Sequence, residues 1–278
     1  MIEAARRLVR HRRGLLGGLV VGLMVLAGLL APAIAPYSYS TQSLLQRLQA
    51  PSIAHWLGTD GYGRDVLTRV VWGSRVSLEI GFVATGLSIV VGTLLGGVAG
   101  YFAGTVDTAI MRVADVFLSV PSLFLILVVI ALFGASLANT ALVIGLVTWA
   151  HVARVVRGEC LSLRARDFID AARALGASHR RILARHLLIN AFPVIIVQAT
   201  LLLGQTILIE SGLSYLGLGA QPPLPSWGNM VVEGRQFLGS AWWIATFPGL
   251  AIFVTVLGFN LFGDGLRDAL DPALRSGS

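Results

Sequence analysis

The chain has no lysine: all 21 of its basic residues are arginine. That absence removes the P-loop lysine that reaches a nucleotide's β- and γ-phosphates, the Schiff-base amine and the Ser–Lys dyad. A single cysteine, Cys160, excludes an internal disulfide and a cysteine metal cluster. Charge is scarce as well. Only 13% of the 278 residues are charged, against roughly 25% in soluble domains. Hydrophobic residues make up 55%, and mean hydropathy is +0.79. So little charge cannot solvate a globular surface, and so apolar a chain is the opposite of a disordered one. A polytopic membrane protein remains.

Stretches without Asp, Glu or Arg locate the spans, because a helix crosses a bilayer with about 20 apolar residues. Residues 14–46, 80–106, 187–209 and 236–263 each hold one such stretch, and 116–153 has room for two helices hinged at Gly134-Ala135-Ser136. Six spans are expected, near 14–35, 79–101, 117–134, 139–158, 191–212 and 243–263. A membrane β-barrel would alternate apolar and polar positions over about ten residues. These runs are continuously apolar, so the fold class is all-α.

Arginine asymmetry orients the spans. The side holding both termini and the 102–116 and 159–190 segments carries 16 arginines, including Arg6, Arg7, Arg10, Arg12 and Arg13, while the opposite side carries five. Both termini are expected in the cytoplasm. Ala31-Pro32-Ala33-Ile34-Ala35 resembles a signal cleavage site. The apolar run before it, at about 18 residues, exceeds the 7–15 of a signal core, so the first helix is expected to be retained. The expected plan is an arginine-rich N-terminus at 1–13, a first transmembrane helix at 14–35 and an extracytoplasmic loop at 36–78. A five-helix core follows at 79–273, with a cytoplasmic elbow at 159–190.

Within the loop, Gly58-Thr59-Asp60-Gly61-Tyr62-Gly63-Arg64-Asp65 reads as a compact polar turn. Val66, Leu67, Val70 and Val71, set against Arg64, Arg69 and Arg75, read as an amphipathic helix at the membrane interface, leading into the second span. Asp60, Arg64 and Asp65 are candidates for docking an extracytoplasmic partner; a solvated connector is the alternative. Gly92, Gly96, Gly100 and Gly104 recur every fourth residue and predict close helix packing. Pro121 and Pro248 predict kinks. The five histidines have no metal-ligand spacing, so no metal site is expected. Glu210, placed near one end of the fifth helix, suits either a pathway or an interface. Gln198 and Gln205 on the same helix could line a cavity or simply make packing hydrogen bonds.

The segment 157–190 is basic and helical in pattern but too polar for the bilayer. A short helix over 167–175 meets Gly176 as a C-cap and Ser178 as the next N-cap, and a second helix runs from 179 to 188. This elbow fits either a groove on another protein or an anionic lipid surface, the latter worth about 1 kcal/mol per arginine.

Asp170-Ala171-Ala172-x-x-x-Gly176 resembles the Glu-Ala-Ala-x-x-x-Gly signature of importer-type ABC permeases. Further segments resemble the second permease subunit of the dipeptide, oligopeptide and nickel importers: His55-Trp56-Leu57-Gly58-Thr59-Asp60, Ser214-Tyr215-Leu216-Gly217-Leu218-Gly219, Pro225-Ser226-Trp227-Gly228-Asn229-Met230 and Gly263-Asp264-Gly265-Leu266-Arg267-Asp268. The likeness runs from about residue 50 to 273, with Asp170 replacing the signature glutamate and Ile189 standing where proline is frequent. It implies the ABC importer permease fold in the inner membrane of a bacterial cell, and passage of di- or oligopeptides, or of nickel complexes or another small solute. It also implies a second, similar permease chain, two cytoplasmic ATPases holding ATP and Mg²⁺, and an extracytoplasmic binding protein. Asp170, Ala171 and Ala172 would form the tip of the elbow, Gly176 its turn, and Arg180 and Arg181 its charged flank. No cofactor in this chain, no enzymatic activity of its own and no nucleic-acid partner are expected. A scaffold subunit outside transport is the rival class.

Overall fold

The computed structural model describes residues 11–270. Arg6, Arg7, Arg10 and Arg275, counted above toward one side, lie outside the described residues. The helices are α1 (Arg12–Leu29), α2 (Val66–Phe102), α3 (Gly104–Ser119), α4 (Ser122–Phe133), α5 (Leu137–Arg164), α6 (Asp167–Ala174), α7 (His179–Tyr215), α8 (Trp227–Arg235) and α9 (Trp243–Leu270). The described residues form no strand beyond an isolated bridge between Thr59 and Asp65. Helices α1, α2, α5, α7 and α9 are each long and apolar enough to cross a membrane, and α3 with α4 passes the same test as one span bent by 87°.

That bend corrects the expectation of a single kinked helix at 117–134. Proline lacks an N–H and pushes the residue before it out of helical geometry. Val120 is accordingly extended, and Pro121 caps α4 instead of sitting inside a helix. The broken pair still follows most of α5. At one end Arg157 Nη2 donates to Asp107 Oδ2 at 2.6 Å, and at the other Asn139 Nδ2 donates to the carbonyls of Phe133 and Gly134 at 3.0 Å.

Helix α2 differs more. Its 37 residues, about 55 Å, exceed the roughly 30 Å hydrocarbon core. The interfacial helix expected within 36–78 is therefore the first part of α2. Asp65 Oδ2 caps it by accepting from the Thr68 amide at 2.7 Å, and Val66 packs in a cluster with Met230 and Trp243 instead of lying on lipid.

Close packing at the glycine stripe is present at three of its four positions. A Cβ on Gly92 would fall 2.5 Å from Val152 Cβ, and one on Gly100 2.7 Å from Cys160 Cβ, so α2 and α5 touch backbone to backbone. Gly96 meets Ala153 on the same face, whereas Gly104 begins α3 with open space around it. Helix α1 runs antiparallel to α9: a Cβ on Gly17 would come 2.7 Å from Gly258 O, and His11 Nε2 lies 3.3 Å from Asp268 Oδ2. The first and last helices thus share one end of the bundle, the terminal end. Ile80, Ala84, Ile126, Ile130, Ile144 and Leu213 join α2, α4, α5 and α7 in one core cluster.

Candidate functional site

The elbow lies at the terminal end. Helix α6 stops because Gly176 takes φ +77°, a left-handed conformation open to glycine without penalty. The Gly176 amide then bonds Arg173 O at 2.9 Å, and the Ala177 amide bonds Ala172 O at 3.0 Å, closing the two hydrogen bonds of a Schellman cap. Ser178 Oγ accepts from the Arg181 amide at 3.4 Å and starts α7.

The separate second elbow helix at 179–188 is not found. Buried Ile182 and Leu187 hold the chain helical through a π turn, Ile182–Leu187, straight into the long apolar part of α7. Ile189, in place of proline, lets it continue.

Rotation of α6 sorts the candidate residues. Asp170 and Ala171 are exposed, and Asp170 Oδ1 accepts from Arg173 Nη1 at 2.9 Å. Ala172, expected at the tip, instead faces inward beside Ile169 and is buried. Leu175 takes its place: an apolar side chain 88% exposed beside the turn. Arg180 and Arg181 are exposed on the flank. The Tyr101 hydroxyl, at the end of α2, lies 2.6 Å from His179 Nδ1 and ties the elbow to the bundle. Tyr101 and His179 carry no motif that would single them out in the sequence; helical phase puts Leu175 on the same side as Ala172, three residues before it, and its exposure comes from its place at the C-cap beside the Gly176 turn.

At the other end, Asp60, Arg64 and Asp65 are buried, which corrects their expected display at a docking surface. Arg64 Nε and Arg69 Nη1 both donate to Asp60 Oδ2, at 2.7 and 2.6 Å, and Arg64 Nη2 donates to Glu233 Oε2 on α8 at 2.7 Å. Asp65 Oδ1 meets His55 Nδ1 at 2.9 Å. Two guanidinium groups and two carboxylates thus neutralise one another and fasten the loop to α2 and α8. A cavity of about 190 Å³ opens beside them, lined in part by Arg64, Arg69, Gln221, Asn229 and Glu233.

Glu210 on α7 is fully buried. A carboxylate costs about 2.5–3.5 kcal/mol at the centre of a membrane helix and less toward its end, where Glu210 lies, but once buried it must still be hydrogen-bonded. Here Ser214 Oγ donates to Oε1 at 2.7 Å and Ser77 Oγ to Oε2 at 3.2 Å. Ser77 Oγ in turn accepts from the Trp227 amide at the start of α8 at 3.3 Å, where the helix dipole favours a negative charge. These hydrogen bonds link Glu210 on α7 to α2 and, through Ser77, to the start of α8. Gln198 is half-buried and Gln205 exposed on α7, and neither lines the cavity beside Arg69. Among the described residues no cluster of His, Cys, Asp and Glu could hold a metal ion.

A family model described as "Binding-protein-dependent transport system inner membrane component" matches residues 92–276. A second, "N-terminal TM domain of oligopeptide transport permease C", matches residues 1–51. The chain is 43% identical over 274 residues to the dipeptide transport system permease protein DppC of Alkalihalophilus pseudofirmus, across 99% of this chain and 90% of that one. It is 42% identical over 275 residues to the glutathione transport system permease protein GsiD of Pectobacterium atrosepticum, across 99% and 91%. The probable D,D-dipeptide transport system permease protein DdpC of Escherichia coli is 42% identical over 253 residues, across 91% and 85%. Among solved structures, a chain of the MetNI methionine ABC transporter in an inward-facing conformation has a TM-score of 0.59 at 21% identity, covering 74% of this chain and 97% of that one, a likeness of fold alone.

Proposed function

We propose, from the premise that this chain belongs to the family of inner membrane components of binding-protein-dependent transport systems, that it is the permease subunit of an ATP-driven importer of short peptides. The relatives named for dipeptides, glutathione and D,D-dipeptides share a short peptide as cargo, which supports that substrate class. The working unit pairs this chain with a second, similar permease. Two cytoplasmic ATPases, which hold ATP and Mg²⁺, and an extracytoplasmic binding protein complete it. Both termini and the elbow face the cytoplasm, in keeping with the arginine split. Asp60, Arg64 and Asp65 serve docking indirectly, by fixing the loop that the binding protein meets. Gln205 lies on the open face of α7, toward the passage between the permeases.

The elbow is the observation that carries this reading. Its turn at Gly176 presents Leu175 and Ala171 outward while Tyr101 and His179 bind it to the bundle. Closure of the ATPases on ATP draws two such elbows together, and the motion passes into α7 and α2. Nucleotide thereby favours one of two states of the pathway because it binds the ATPases of that state more tightly.

Two experiments test the proposal. Proteoliposomes holding the full complex and binding protein should accumulate a radiolabelled dipeptide only with internal or external ATP on the ATPase side; accumulation of nickel complexes instead would replace the substrate class. For orientation, Cys160 is buried and a poor reporter. In a Cys160→Ala background, Leu45→Cys should react with an impermeant maleimide on intact cells and Thr108→Cys only after permeabilisation; the reverse pattern would invert the topology.

A further inference from the structure

We infer that Glu79 marks the face of α2 against which the second permease packs, and that its carboxylate receives a cationic or hydroxyl donor from a membrane helix of that chain. The inference rests on the two-permease reading above and deepens it.

Depth comes first. A Cβ on Gly28 of α1 would lie 3.2 Å from the Arg75 backbone, so the two residues are level. From Gly28 to Ala35, where the short turn after α1 ends, is about 10 Å, and Glu79 lies one further turn in, about 6 Å. Glu79 is therefore near the middle of a hydrocarbon layer about 30 Å thick. It is nevertheless exposed on this chain. Among the described residues it enters none of the ion pairs. Arg75, one turn away on the same face, points instead over the Trp72 ring, 5.8 Å from its centroid.

Exposed Arg75, Glu79, Phe82, Val83, Gly86 and Val90 follow helical spacing and form one stripe. The opposite side of α2 is already taken, since a Cβ on Gly81 would meet Ile207 of α7 at 3.2 Å. Lipid tails cannot solvate a carboxylate at this depth. A water-filled passage would be lined by more than one polar group; Arg75, one turn nearer the outer boundary, lies over the Trp72 ring, and from Glu79 inward the stripe holds only Phe82, Val83, Gly86 and Val90. A protein helix satisfies both facts. It covers Phe82, Val83 and Val90, comes close at Gly86, where nothing lies within 4 Å, and brings one donor to Glu79.

The assembled complex tests this in native membranes. A benzophenone amino acid at Val83 should cross-link to the second permease on illumination; adducts with lipid alone, or none, would overturn the inference. Glu79→Cys in the Cys160→Ala background should resist a water-soluble maleimide that labels Leu45→Cys, and strong labelling would mean a wet passage instead. Glu79→Leu should lower co-purified second permease about fivefold, with Glu79→Gln losing less because it can still hydrogen-bond. Retention by Glu79→Leu equal to the unsubstituted chain counts against the contact. If the unsubstituted chain retains no second permease, the two-permease reading itself has failed.

Discussion

Tyr101, near the end of α2, and His179, the first residue of α7, meet at 2.6 Å through the Tyr101 hydroxyl and His179 Nδ1. The two rings also sit 5.7 Å apart with Phe102 alongside, so the base of the elbow rests on an aromatic shelf at the end of α2. Any force applied to the elbow reaches α2 by this contact and α7 by chain continuity.

Tyr101→Phe removes the hydrogen bond and keeps the ring. A typical hydrogen bond contributes about 1 kcal/mol, so packing should survive and the elbow should loosen. The expected outcome is normal expression and normal assembly with the ATPases, with peptide uptake down about fivefold per ATP hydrolysed. Uptake and hydrolysis measured together in proteoliposomes decide it: an unchanged ratio would remove Tyr101 from the coupling path.

At the elbow itself, backbone and surface can be separated. Gly176→Val forces a β-branched residue to φ +77°, a strain of about 1–3 kcal/mol, and should distort the turn. Leu175→Asp leaves the turn intact and changes only an exposed apolar tip. Both variants should reach the membrane and fail to hold the ATPases on purification. If Leu175→Asp keeps them fully, the exposed tip is not the docking group.

Much of this architecture is legible in the sequence because uncharged apolar runs are long and local. The helix that begins at Val66 is legible too, but its burial inside the bundle is not, because Arg69 is neutralised in part by Glu233 from 164 residues away. No local pattern announces such a pairing. Pro121 signals an interruption but not an 87° turn, which depends on α4 packing Ile126 and Ile130 against α5. Gly176 is legible because a Schellman cap is local chemistry. Whether Ala172 or Leu175 faces outward is set by how Ile169 seats beside Leu163 and Ile182, and that belongs to tertiary packing.

The loop network makes a stability prediction. Asp60 is almost fully buried and accepts from both Arg64 and Arg69. Asp60→Ala should leave two buried guanidinium groups sharing Glu233 alone, one positive charge uncompensated, and cost about 3–5 kcal/mol. The loop should come away from α8, seen as faster proteolysis between residues 40 and 65 and a lower unfolding temperature in detergent. Rescue is expected from adding Arg69→Met, which removes one stranded charge. Equal thermal stability of Asp60→Ala and the unsubstituted chain would show that Glu233 alone neutralises the pair.

The energy source can be located by subtraction. A P-loop needs Gly-x-x-x-x-Gly-Lys-Ser/Thr, with its lysine on the β- and γ-phosphates. The chain contains no lysine, so that site cannot be built from it. Exposed arginines such as Arg180 and Arg181 can attract a nucleotide, but at 0.15 M salt their field is screened beyond about 8 Å, so binding should be weak and salt-sensitive. Purified alone in detergent, the chain should neither turn over ATP nor bind it with defined stoichiometry. Turnover should appear on assembly with the ATPases and vanish when their P-loop lysine is replaced. Hydrolysis by the isolated chain that survives stringent removal of co-purifying ATPases would place an energy-coupling site inside the permease and undo the division of labour proposed for the complex.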